Sequence, residues 1–477
     1  MTHRVRKSVW GLPDGDETLM WYERAVEALW QLPVDNPRAW FFMGAVHGVP
    51  PSFPNIPARA QFWDQCQHQS WFFLPWHRGY ITAFEAVVAE EVASLGGPED
   101  WALPYWNYSQ DLADNPDARR LPSPFRDQLK PDGTRNYLFS RRRLVTNGDF
   151  GLTDQIVSLA AMGFSDFTNS TPGVPSGFGG PVTGFNPGGG DSGALEQLPH
   201  NVIHVEIGGF MRDPRTAAFD PVFWLHHCNI DRLWETWRQD PLHADPASPL
   251  WLTGQPFDMH DGQGQPFSYT AQDMLDTTQI LHGYLYDTIP SPVSPGDTTP
   301  DDTEALAMSS SGDPEIAGAS EAPVRLGPTV TRTRVPMNTD VALAGPDEAP
   351  GSSRRVYLEL QGIRGTGVAG NYAVLIDLPG DDMVPVRAGV LSTFGHARAS
   401  RADAPHGGSG LNQIFDITAH AFSLGLTRGD TGALEVLIEP MGAADQAWGV
   451  PPGLEGVVAE TDEPADVTIG RINVIFE

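Results

Sequence analysis

Residues 66–80 read "CQHQSWFFLPWHRGY", from Cys66 to Tyr80. Two imidazoles, His68 and His77, flank a run of bulky apolar side chains that belongs in a core. A buried imidazole needs a partner. Either each ring is satisfied by a neighbouring group, or a cation sits between the two. Pro75 suits a first helical turn, and the apolar pattern runs on through "RGYITAFEAVVAEEVASL" to Gly96. His77 is therefore expected to open a helix, with His68 in the segment before it.

The chain holds 14 histidines, and position selects among them. His200 and His204, in "EQLPHNVIH", are four apart, which on a helix puts both on one face as a chelating pair. His226 and His227 lie in "DPVFWLHHCNIDRLW". Adjacent helical residues point about 100° apart, so these two do not readily share a metal, and spacing leaves open which one binds. His47 ends another expected helix, in "FFMGAVHGVP". The result is two sets of three: His47, His68 and His77 in one half, His200, His204 and His227 in the other. All-imidazole donor sets suit copper, zinc or iron, with no carboxylate for a facial triad and no thiolate cluster for structural zinc. Two such sets facing each other across a helical bundle would suit dioxygen held between two copper ions.

"HQSWFFLPWHRGYITAFE", "EQLPHNVIH" and "DPVFWLHHCNIDRLW" together closely resemble the paired copper signatures of the tyrosinase, catechol oxidase and haemocyanin superfamily. The resemblance covers roughly residues 10–285. It implies two copper ions as cofactor, phenols and O2 as substrates, and His227 as the ligand of the His-His pair. It implies a thioether between Cys66 and the His68 ring, since Cys-x-His segments carry one in fungal tyrosinases and molluscan haemocyanins; an ordinary buried thiol is the alternative. Glu196 matches the family's water-holding acid, and Asn201 the asparagine that orients that water. Together they would accept a phenol proton, with Glu196 ionised; a charge complementing a helix N-terminus is the alternative. Pro214 falls where the family places a gate residue over one copper. Asp231 and Arg232 are expected to pair or to orient a ligand rather than to react. The implied activity is that of a tyrosinase, with a catechol or o-aminophenol oxidase and a haemocyanin-like O2 carrier as alternatives.

The rest of the chain frames that centre. The fold expected is mainly α: a four-helix-bundle dicopper core with long loops over residues 1–289, then a smaller all-β, sandwich-like domain. The glycine-rich 171–193 reads as permissive loop, without the lysine and serine or threonine of a phosphate cradle. Residues 290–323, rich in Pro, Ser, Asp and Glu, read as an acidic linker. Period-two runs such as "NYAVLIDLPG" and "GALEVLIEP" place strands in 324–477. Residues 391–440 resemble the domain that shields the copper site of latent polyphenol oxidases, which implies a plugging side chain and release by cleavage in the linker. A net charge of −30 argues against nucleic acid or an anionic membrane as partner. No apolar run is long enough to span a bilayer. No secretory signal is read at the N-terminus, so cytoplasmic residence is the default expectation, with export alongside a signal-bearing partner as the other route. A copper chaperone and a processing protease are the protein partners this reading invites. Only two cysteines, Cys66 and Cys228, occur, so the chain is no disulfide scaffold.

Overall fold

A computed structural model describes residues 3–13, 15–50, 53–54, 56, 61–140, 143, 152–289, 314–338, 355–378, 385–403, 407–424, 426, 432–441 and 466–477. Five helices build the centre: α1 (Thr18–Trp30), α2 (Trp40–His47), α3 (Phe73–Ser94), α4 (Val202–Ile207) and α5 (Pro221–Trp237). α1 is amphipathic and buries Tyr22, Ala25, Val26 and Leu29. α3 has almost no polar face, because nearly every residue from Phe73 to Ala89 is buried. α5 starts sharply: Pro221 occupies its first turn, and the Asp220 carboxylate accepts from the Val222 N–H at 3.0 Å. Aromatic contacts lock these helices together. Phe84 of α3 stacks on Trp224 of α5 at 3.5 Å, and Trp40 of α2 meets both rings.

Two helix expectations need correction. α3 begins at Phe73, ahead of Pro75, so His77 sits in its second turn instead of opening it. The helix expected to carry His200 and His204 is interrupted at its start: Leu198 leaves helical geometry within a widened turn over Glu196–Asn201, and α4 follows. "Mainly α" holds only in that helices outweigh strands in the centre, since even there loops account for more residues than helices do.

Strands tie the centre together and then form a second body. β1 (Arg4–Arg6) pairs in parallel with β5 (Tyr284–Tyr286), which carries Arg6 into the helical core. β2 (Gly190–Asp191) lies in the glycine-rich loop, and β3 (Phe257–His260) pairs with β4 (Pro266–Tyr269). The C-terminal body has a sheet of β8 (Thr331–Pro336), β10 (Asn371–Asp377), β11 (Val386–Ser392) and β13 (Ala433–Met441). A larger one holds β6 (Glu315–Ala319), β7 (Val324–Arg325), β9 (Val356–Thr366), β12 (Leu411–Asp416) and β14 (Asp466–Phe476). Val374, Val436 and Ile438 of the first share one apolar core with Leu358, Ile469 and Val474 of the second, the layering of a sandwich. Short helices, Thr418–Ser423 among them, interrupt it, so it is not all-β. β6 falls inside the expected linker, whose residues 290–313 lie outside the described set. β2 adds to the larger sheet by pairing in parallel with β12, Gly190 beside Leu411. The glycine-rich loop and the C-terminal body thus share a sheet.

Candidate metal centre

The six histidines singled out by spacing and, for His227, by the family resemblance converge. His200 and His204 approach from α4 and the turn before it, and His227 from α5. Their Nε2 atoms lie 3.1–3.3 Å from one another. On the other side, the rings of His47, His68 and His77 stand 5.3–5.5 Å apart, centroid to centroid. The two sets abut: His77 stacks on His227 at 4.5 Å and 15°, and His47, His77 and His227 gather their nitrogens within 4.8 Å.

Tautomers follow from the outer ring atoms. The Nδ1–H of His47 donates to Pro214 O (2.7 Å), that of His77 to Phe73 O (2.8 Å), and that of His204 to Met211 O (2.9 Å). His200 donates from Nδ1 to the Asn201 side-chain oxygen at 2.9 Å. With Nδ1 protonated, each Nε2 of these four presents a lone pair. Burial holds all six rings below the usual imidazole value, His47 and His200 down to about 3. They are neutral at neutral pH. The Nε2 atoms of His47, His68 and His77 are buried without a hydrogen-bond partner. Lone pairs left facing each other in a dry pocket are costly, and a cation relieves that cost. Metal–imidazole bonds of about 2.0 Å at tetrahedral angles would set nitrogens about 3.3 Å apart, close to the spacing around His200. The donor set fits a pair of metal ions.

Other predicted residues take definite places. His226 lies beside the second set, its ring 5.3 Å from His200 and its Nδ1 3.2 Å from the Tyr108 hydroxyl. It is His227 whose Nε2 meets both His200 and His204. Glu196 is fully buried and accepts from the Gln69 backbone N–H (2.9 Å) and from the Gln69 side chain (3.2 Å). Burial pushes its carboxyl up to about 8, so the metal-free pocket favours the neutral acid over the expected ionised one. The Asn201 oxygen is engaged by His200, which leaves its amide N–H2 for any water. Pro214 reaches the His47 ring because Gly48 has no side chain: a Cβ there would stand 2.5 Å from Pro214 O. Cys66 and Cys228 are both buried free thiols, and Cys66 Sγ lies within 4.8 Å of ring nitrogens of His47 and His68. Asp231 does not pair with Arg232. Its carboxylate is held by Arg78, Arg6, Tyr284 and Tyr286, while Arg232 bonds Asn229 and Asn107.

Spacing gave no sign of Phe394. Its ring stacks on His204 at 4.4 Å and 16°, and its edges meet His68 and His200. It is 1% exposed. Gly395, at φ 80°, turns the chain straight after it. The C-terminal body is anchored around this ring: Asn371 donates to Val202 O (3.1 Å) and to Glu206 (2.7 Å), and Ser392 donates to Asn201 O (3.3 Å). Phe394 lines a narrow cleft with Cys66, His68, Pro214 and Arg398 among its other walls.

Residues 37–240 match the common central domain of tyrosinase. A tyrosinase of Hahella sp. (strain CCB-MM4) is 35% identical over 449 residues, covering 87% of this chain and 90% of that one. The chain belongs to the tyrosinase family. The catechol oxidase B of Solanum tuberosum is 28% identical over 47% of this chain and 39% of its own length. Latent apple tyrosinase superposes over 100% of this chain and 97% of its own, with a TM-score of 0.63 at 21% identity, which establishes the shared fold. Residues 313–477 match a domain of unknown function (DUF7868). As a tyrosinase-family member the chain is a copper-dependent oxidoreductase of the tyrosinase or catechol oxidase type, with a dinuclear copper centre and with phenols and O2 as substrates. Among the described residues, no helix is long and apolar enough to cross a membrane.

Proposed function

We propose that the chain hydroxylates monophenols at the ortho carbon and oxidises o-diphenols to o-quinones, and that it is latent until its C-terminal domain moves or is removed. The observation that carries the reading is Phe394. An aromatic ring supplied by the chain itself lies flat against His204, where a phenol ring would need to lie to reach the centre.

In this reading His47, His68 and His77 hold one copper and His200, His204 and His227 the other, on a four-helix bundle of α2 to α5. Bound copper supplies the electron relay and Lewis acidity that phenol oxidation by O2 requires. The chain supplies the rest. Carbonyls of Pro214, Phe73 and Met211 fix ring orientation through Nδ1, as outer ligands do in metal sites. Phe223 and Phe73 pack against the ligand rings and exclude water. Glu196, held by Gln69, would be returned to its carboxylate form by the positive charge of bound copper, and in that form accepts the phenol proton, with Asn201 holding a bridging water through its amide. A thioether from Cys66 would fix the His68 ring on a segment that has no helix to do so. Pro214 gates the cleft beside Phe394. A chaperone loading copper and a protease cutting within 290–323 complete the proposal.

One observation favours a second reading, a catechol or o-aminophenol oxidase without the first step. The Asn201 oxygen is already committed to His200, which weakens the water-holding pair. Oxygen uptake on tyrosine and on catechol separates the readings, measured on the intact chain and on Phe394→Ala. Uptake on both supports the full tyrosinase. Uptake on catechol alone supports the second reading. Failure on both phenols of copper-loaded Phe394→Ala and also of copper-loaded chain cut within 290–323 overturns the enzymatic proposal and leaves an O2 carrier.

A further inference from the structure

The C-terminal body touches the copper-binding segment at a second place besides Phe394. Arg398 follows on the short helix His396–Ala399. Its Nη1 donates to Cys66 Sγ at 3.4 Å and lies 3.2 Å from Asp64, while its Nη2 donates to the Asn186 side-chain oxygen at 3.0 Å. The fork therefore has three fixed partners on the other body. The backbone of Cys66 is already fixed, since its N–H donates to His47 O and the next side chain, Gln67, bonds both Gln65 O and the Asn186 N–H. What remains free is one torsion, with three staggered positions for the sulfur. A hydrogen bond from a rigid guanidinium selects among them.

We propose that Arg398 is a positioning residue for the Cys66–His68 cross-link, so that the C-terminal domain templates the maturation of the site it covers. The proposal rests on the thioether reading above. The step forms one bond, from Cys66 Sγ to a ring carbon of His68, and breaks the S–H and that ring C–H. Two electrons and two protons leave, and O2, the oxidant this family consumes, accepts them as H2O2. The order of events follows: the cross-link forms while the domain is docked, and removal of the domain comes afterwards. The same segment of chain, 394–398, then both blocks the centre and prepares it.

The test uses the full chain, prepared without copper or air and then given both. Mass spectrometry of the peptide spanning Cys66 and His68 follows the loss of two hydrogen masses over time, and thiol labelling follows loss of the free sulfur. Wild type and Phe394→Ala are expected to cross-link at similar rates, because Phe394→Ala removes the plug and keeps the guanidinium. Arg398→Ala is expected to be at least about fivefold slower, the loss of one hydrogen bond, with Arg398→Lys between the two. Arg398→Ala at the wild-type rate would overturn the role. So would a Phe394→Ala chain as slow as Arg398→Ala, since docking in general would then be the cause. A wild-type chain that never loses the two hydrogens removes the thioether itself, a failure visible without any variant.

Discussion

The phenyl ring of Phe394 lies 4.4 Å from the imidazole of His204, their planes 16° apart. The two residues belong to different bodies of the molecule, and nothing but tertiary docking brings them together. A docked apolar ring has the shape of a substrate ring and none of its reactivity. Full burial of a phenylalanine is worth about 1.5–3 kcal/mol, and each 1.4 kcal/mol is about tenfold in an equilibrium. Phe394→Ala is therefore expected to raise catechol turnover of the uncleaved chain by about tenfold or more, read as quinone formation. Unchanged turnover would place the barrier elsewhere in the interface.

Asn201 acts on the centre through His200. Asn201→Ala leaves the His200 Nδ1–H without its oxygen, and lost outer partners typically cost about 10–100-fold in metal affinity. Competition with a chelator should show one of two copper ions released more easily, with the helical signal in circular dichroism unchanged. Equal release of both ions, or of neither, would assign Asn201 another role.

The buried network around Asp231 is structural. Asp231→Asn leaves Arg78 and Arg6 short of a countercharge in a dry core, a change of about 3–5 kcal/mol. A fall in Tm with a copper-binding spectrum intact below the transition is expected. Retention of wild-type Tm would mean that Glu85 and Glu235, which also pair with these arginines, suffice.

The copper-binding half was legible because its chemistry is carried by residue type and spacing: His200 with His204, the His-His pair, and His68 with His77 flanking an apolar run. Local geometry was less so. The break at Leu198 has a local cause, since Pro199 follows it and the residue before a proline is pushed out of helical geometry; the earlier start of α3 still leaves Pro75 in the first turn, where it is tolerated. The resemblance of 391–440 implied a plugging side chain, but nothing in the sequence singled out Phe394 as that residue. Arg6 is the same kind of case: an N-terminal arginine looks like solvent charge until β1 pairs with β5 and buries it among Glu85, Asp231 and two tyrosines. The strand Glu315–Ala319 hides in a stretch whose composition is that of a linker, and its long-range pairing with β14 and with Met337 orders it.

Glu196 supplies a pH test. Burial lifts its carboxyl from 4.5 to about 8 in the metal-free protein, so the folded state holds the proton more tightly than the unfolded one. The contribution is complete below the unfolded value and is lost as pH rises through the folded one. Metal-free wild type should therefore lose Tm relative to Glu196→Gln, by about a few degrees, as pH goes from 5 to 8. A constant gap across that range would mean that the carboxyl ionises at its ordinary value.

The central claim is that six neutral imidazoles in two adjoining sets hold two copper ions. The most direct measurement is metal content per chain, on fully loaded wild type and on His204→Ala. Two ions in the wild type and one in the variant are predicted. One ion in the wild type, or two held equally tightly by the variant, would contradict it.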